Sequence, residues 1–147
     1  MKDIPTKLRE DKLWREVSEI VQHIYIKINE IVDNFPDEKW ATASKLRITA
    51  NDSLFYASQA IGNVSLETSL YDWTNFRKNI FSLQSMYLFA AKQKFTELDP
   101  EVIVKIDKII LKIEAKIAES KKEVQNKNKE ELEPWLEKYR IWQKLQK

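Results

Sequence analysis

The chain has 147 residues, 43% hydrophobic and 33% charged, with one Gly, no Cys and a net charge of +2. That length suits one domain with its own core, and near-absence of Gly argues against sheets, whose hairpins use Gly at positive φ. With Gly62 alone neither G-x-G-x-x-G nor a Walker loop can be written, and without Cys there are no disulfides, thiolate zinc sites or cysteine nucleophiles.

Leu13, Val17, Ile20, Ile24, Ile28, Ile31 and Phe35 recur at spacings of three and four, widened by Trp14, Val21 and Val32, and predict an amphipathic helix from about residue 8 to 34. Phe35-Pro36 stops it, because the residue before Pro avoids helical backbone. Pro36 then opens a second helix, with Asp37 and Glu38 near its positive end. Trp40, Ala43, Leu46, Ala50, Leu54, Ala57 and Ile61 form the stripe of that helix, which is expected to end at Gly62-Asn63.

Ser65 or Thr68 caps a third helix, whose stripe of Leu70, Trp73, Phe76, Ile80, Leu83, Tyr87 and Ala91 runs to about Phe95. Asp99-Pro100-Glu101 reads as N-cap, first helical residue and first-turn acid. The fourth helix then presents Val102, Ile106, Ile109, Ile113 and Ile117. Lys121 to Glu131 is polar and reads as a solvent-exposed extension or a linker. Beyond it Leu132, Trp135, Leu136, Tyr139 and Trp142 share one helical face, with Pro134 near the start of a short fifth helix.

Short connections between such helices predict an all-α, up-down-up-down antiparallel four-helix bundle over residues 1–120. Residues 121–147 form its polar linker and amphipathic C-terminal helix. Met1 to Lys7 lacks the apolar stretch of a signal peptide and no run approaches a membrane span, so a cytoplasmic protein is expected.

The catalytic inventory is poor. His23 is the only His, so two Glu-x-x-His motifs for a di-iron site cannot be assembled. A structural role is expected for it, between helical neighbours and beside Ile24. The acids Asp37, Glu38, Asp99 and Glu101 sit at helix starts, where they complement the helix dipole. No catalytic residue, metal site, cofactor or small-molecule substrate is expected.

Surface features point instead to binding. Lys105, Lys108, Lys112 and Lys116 lie within an arc of about 80° on the fourth helix, either a rail for phosphates or solvated lysines whose stems cover the core edge. Val104, Leu111, Ala115 and Ala118 form a second apolar face on that helix. Tyr71, Met86 and Phe89 lie away from the main stripe of helix three, and Phe55 and Tyr56 stand beside Leu54 on helix two. Extra apolar faces predict burial against another subunit or partner. Arg77 and Arg47 edge the apolar arcs, with Asp52 a candidate partner for Arg77. In the tail, Trp135, Tyr139 and Trp142 mix with Lys138, Arg140, Lys144 and Lys147, a combination suited to stacking on bases or anchoring a protein interface.

Leu13-Trp14, Phe35-Pro36-Asp37-Glu38, Leu46-Arg47, Ala50, Ser53-Leu54 and Gly62 together resemble a bacterial four-helix-bundle family. That family includes the proteins encoded in ribosomal-RNA intervening sequences and the accessory variability proteins of diversity-generating retroelements. The resemblance spans roughly residues 13 to 118, and Ala57-Ser58-Gln59-Ala60-Ile61-Gly62 stands where family members often carry Asn-Ile-Ala-Glu-Gly. It implies a homo-oligomer, a pentamer in that family, that binds a reverse transcriptase and its RNA without catalysis of its own. The expectation is therefore a non-enzymatic oligomeric adaptor. Its alternative is a protein-only interaction module whose aromatic tail docks a partner.

Overall fold

A computed structural model describes residues 6–32, 37–63 and 65–146, with side chains for 8–27, 41–63, 65 and 68–146. Among them are five helices and no strand: α1 (Thr6–Glu10), α2 (Lys12–Val32), α3 (Asp37–Gly62), α4 (Leu66–Lys92) and α5 (Pro100–Leu145). The protein is all-helical. The stop at Phe35-Pro36, the side chains of Ile28, Ile31, Val32 and Trp40, and the acids of Asp37 and Glu38 lie outside the described residues.

The start of α2 and the end of α4 differ from the reading by periodicity, whereas α3 ends at Gly62 as expected. The first helix is broken at Asp11, whose side chain accepts the Trp14 N–H at 2.9 Å and so caps α2. The end of α3 has no left-handed glycine: Gly62 is helical, with open space where a Cβ would stand. Asn63 makes the stop instead. Its amide Oδ1 accepts the Ser65 N–H at 2.7 Å, and its Nδ2 donates to Thr68 and to Asp72, tying the turn to the first turns of α4. Ser65 holds the N-cap position without a side-chain cap bond.

The left-handed residue is at the end of α4. Lys94 has φ 59°, the Phe95 N–H reaches the Ala90 carbonyl at 2.8 Å, and the Lys94 N–H reaches Ala91 at 3.0 Å. This is the paired bonding of a Schellman stop, and it ends the helix at Lys92 rather than near Phe95. Asp99 caps α5 by accepting the Glu101 N–H at 2.9 Å, with Pro100 in the first turn. Between these ends, the fully buried Tyr87 hydroxyl accepts the Asp99 N–H at 2.9 Å and locks the connection onto the core. Tyr87→Phe removes that acceptor. It is expected to cost about 1–2 kcal/mol, read as a lower urea midpoint at unchanged m.

The core takes one stripe from each long helix: Val17, Ile20 and Ile24 from α2; Leu46, Ala50 and Ala57 from α3; Phe76, Ile80 and Leu83 from α4; Ile106, Ile109 and Ile113 from α5. The α3 stripe is mostly alanine and the facing α4 stripe carries Trp73, Phe76 and Tyr87, so small residues meet large ones. Packing joins α2 to α3, α3 to α4, α4 to α5 and α5 back to α2, with α1 against α2 and α3.

Side-chain bonds between α4 and α5 link Ser69 with Ser120, Arg77 with Glu114 and Gln84 with Asp107, one number rising as the other falls. Between α3 and α4, the amide of Asn79 donates to Ser53 Oγ at 2.6 Å and to the Thr49 carbonyl at 3.2 Å. Thr49 Oγ1 in turn donates to the Lys45 carbonyl at 2.8 Å. These buried hydroxyls therefore all have acceptors, as the low dielectric of a core requires.

The largest departure from expectation is α5. Of the two readings of 121–131, extension or linker, the structure has the extension, and the expected separate fifth helix is its continuation within one helix of 46 residues. Lys, Glu and Gln are good helix formers, so a polar composition does not by itself interrupt a helix. Pro134 sits within it and removes one backbone donor without ending it. The last buried residue of α5 is Ser120, and every described side chain from Asn128 onward is exposed. About 25 residues of helix, roughly 37 Å, therefore extend beyond the last buried position.

Candidate interaction surfaces

Lys105, Lys108 and Lys112 of α5 line a shallow groove with Glu16 and Glu19 of α2. Packing of α2 against α5 creates this groove, and it brings acid to the lysine row. Lys112 Nζ holds both Glu16 carboxylate oxygens, at 2.8 and 2.7 Å, and Lys116 lies 3.8 Å from Glu119. Lys105 and Lys108 form no ion pair among the described residues. The row, readable as a rail for phosphates or as solvated lysines, is thus mixed in sign, with two of its four lysines neutralised locally. Nothing in the spacing of α5 alone gives Glu16 and Glu19, because their effect depends on which helix lies alongside.

His23 Nε2 is 3.3 Å from Asp99 Oδ2 but lacks hydrogen-bond geometry toward it. That carboxylate is already committed to capping α5. Among the described residues no three His, Asp or Glu side chains converge as metal ligands would.

Arg77 pairs with Glu114 of α5, Nε at 3.2 Å and Nη2 at 3.0 Å, rather than with Asp52, and its guanidinium lies 4.6 Å from the centre of the Phe81 ring. The Arg47 guanidinium stands 5.9 Å from the Tyr25 ring centre. Both arginines are accounted for within the fold.

The expected extra apolar faces divide into two groups. Tyr56 and Met86 are half-buried and pack against the chain's own core, and Met86 also accepts a weak bond from Thr49 Oγ1. Their position beside the main stripe is inward, so they are not free surface. Phe55, Tyr71, Phe89, Val104 and Leu111 are exposed.

Further exposed apolar residues, which the periodicity did not single out, include Ile26, Ile48, Phe81, Leu88 and Leu98. Ile48 and Phe55 are seven residues apart on α3, a spacing that returns to one face and was available as a signal. Because Arg77 meets Glu114 and Gln84 meets Asp107, Phe81 lies near the level of Leu111 and Leu88 near that of Val104. The α4–α5 seam is thus polar, with exposed apolar side chains on both of its helices.

The most exposed apolar surface is on the α5 extension. At about 100° per residue, Leu132, Trp135, Leu136, Tyr139 and Trp142 occupy an arc of about 120°. Trp135 is 70% exposed and Trp142 55%. Tyr139 and Trp142 stack on each other with centroids 6.0 Å apart, and Lys138 Nζ lies 5.3 Å from the Trp135 ring centre. Ile141 and Leu145 add exposed apolar area outside the arc. The arc overlaps the angular sector that α5 buries between Val102 and Ile113, but among the described residues no other helix packs on it.

Among the described residues no helix is long and apolar enough to cross a membrane. Comparison with known proteins finds no family model, no curated protein and no solved structure that matches this chain.

Proposed function

We propose that the chain is a non-catalytic cytoplasmic adaptor, an up-down-up-down antiparallel bundle of α2 to α5 that acts by protein–protein contact through the free end of α5. The opposed numbering of the bonds between α4 and α5, and between α2 and α5 (Glu16 with Lys112, His23 beside Asp99), supports the antiparallel arrangement. The observation that carries the function is the aromatic stripe of the extension. Two exposed tryptophans and a tyrosine on one face of a formed helix are what a hot-spot surface consists of, and a helix unsupported by packing is marginal in water.

Affinity purification from the source cells provides the test. The wild-type chain is expected to retain a protein partner through nuclease treatment. The variant Trp135→Ala/Tyr139→Ala/Trp142→Ala is expected to lose it while keeping the thermal midpoint of the wild type. Retention by the variant, or no protein complex at all, overturns the proposal.

The second reading is the accessory protein that the resemblance implies, oligomeric and bound to a reverse transcriptase with its RNA. The observation in its favour is that, among the described residues, Lys105 and Lys108 at the rim of the α2–α5 groove form no ion pair. A complex that falls apart on nuclease treatment supports this reading. In that case Lys105→Ala/Lys108→Ala reduces the salt dependence of RNA binding by about two phosphate contacts.

A further inference from the structure

The aromatic stripe has a symmetry that names its occupant. Four of its five residues, Leu132, Trp135, Tyr139 and Trp142, are separated by three, four and three residues, a spacing that reads the same from either end, while the fifth, Leu136, comes level with Lys138. We propose that the α5 extension pairs with the extension of a second copy, antiparallel, about a two-fold axis near Glu137. The inference rests on the adaptor reading and identifies one protein that the extension contacts.

Four observations converge on it. In the antiparallel register Leu132 faces Trp142 and Trp135 faces Tyr139, so each layer combines a larger and a smaller side chain. A parallel pair would instead set Trp against Trp in two layers and leave Leu against Leu in a third.

Charge follows the same axis. Residues 130–137 carry Glu130, Glu131, Glu133 and Glu137 and no base, whereas 138–146 carry Lys138, Arg140 and Lys144 and no acid. Antiparallel pairing sets the acidic half of each helix alongside the basic half of the other. Parallel pairing would set like against like.

Reach agrees as well. In this register the end of one extension, Gln146, stands level with Asn128 of the other. That is eight residues, or about 12 Å, short of Ser120, where the buried part of α5 ends. Each extension thus ends short of the last buried position of the other's α5. Finally, the segment between Ser120 and Asn128 is left uncovered by the partner, and it is the segment that is polar, Lys121-Lys122-Glu123-Val124-Gln125-Asn126-Lys127. The apolar stripe begins where the partner begins.

The test uses the full chain, and the absence of native Cys makes introduced thiols unambiguous. At about 100 μM, where a micromolar interface is saturated, sedimentation is expected to give twice the 17.5 kDa of one chain. Asn128→Cys mixed with Gln146→Cys is expected to oxidise to the 128–146 cross-link, with the two like pairs at least tenfold rarer.

Glu130→Lys/Glu131→Lys/Glu133→Lys and Lys138→Glu/Arg140→Glu/Lys144→Glu are each expected to be monomeric, and their mixture to restore the dimer. Predominant 128–128 cross-links, or two charge variants that each dimerise like wild type, overturn the antiparallel pair. A wild-type monomer also overturns it, and amide exchange then separates the two proposals. Slow exchange over 129–145 only in a purified partner complex leaves the adaptor reading standing, whereas a monomer with the extension docked on its own bundle removes both.

Discussion

Phe76→Ala is expected to lower stability by about 3–5 kcal/mol, the usual cost of emptying a closed aromatic site. Phe76 is fully buried among residues of all four long helices, where neighbours already in contact cannot collapse into the void. At about 2–4 °C per kcal/mol for a chain of this size, the thermal midpoint falls by roughly 10 °C. Trp135→Ala deletes a larger side chain but from a site 70% exposed, and it is expected to leave the midpoint of the monomer within about 1 °C. Thermal unfolding of both variants, at concentrations low enough to hold the chain monomeric, checks the pair. Equal losses would mean that the extension belongs to the folded core.

Ala57→Leu is expected to destabilise by the opposite route. Ala57 is fully buried on the stripe of α3 that meets the large side chains of α4. Three added heavy atoms have no space there without moving α3 from α4. Overpacking of a closed site costs about 1–3 kcal/mol. The neighbouring substitution Ser58→Leu falls outside the buried stripe and serves as the control. A denaturant midpoint lower for Ala57→Leu and unchanged for Ser58→Leu is the expected pattern, and unchanged midpoints for both would contradict the small-against-large packing of α3 and α4.

The helical class and the core faces were legible because they rest on period. Val17, Ile20 and Ile24, or Ile106, Ile109 and Ile113, repeat at intervals that only a helix turns to one side. The Asp99-Pro100-Glu101 start was legible for a local reason, since cap and first turn are adjacent in sequence. Helix ends set by side chains were less so. Gly62 is an ordinary helical residue, and the left-handed position fell to Lys94, chosen by the closing bonds of Phe95 and Lys94 rather than by residue type.

A polar run such as Lys121 to Glu131 is compatible with either an extension or a linker; Lys, Glu and Gln sustain a helix, and α5 takes the extension. Of the candidate surfaces, the exposed aromatics of the extension could be read from spacing alone. The acidic side of the lysine groove could not, since Glu16 lies 96 residues from Lys112 and only packing brings them together. Tyr56 and Met86 are half-buried against the core. A position beside a stripe can turn either inward or outward, and neighbouring helices decide which.

An unbroken α5 acts as a ruler and as a dial. With no joint between Ser120 and Leu132, the heading of the aromatic stripe relative to the bundle is fixed by counting residues. Each residue inserted or removed there turns the stripe by about 100° and shifts it by about 1.5 Å. Seven residues change the distance by roughly two turns and nearly restore the heading, whereas three or four reset the distance by one turn. Spacing in the assembled object is thus written in the length of the segment between Ser120 and Leu132.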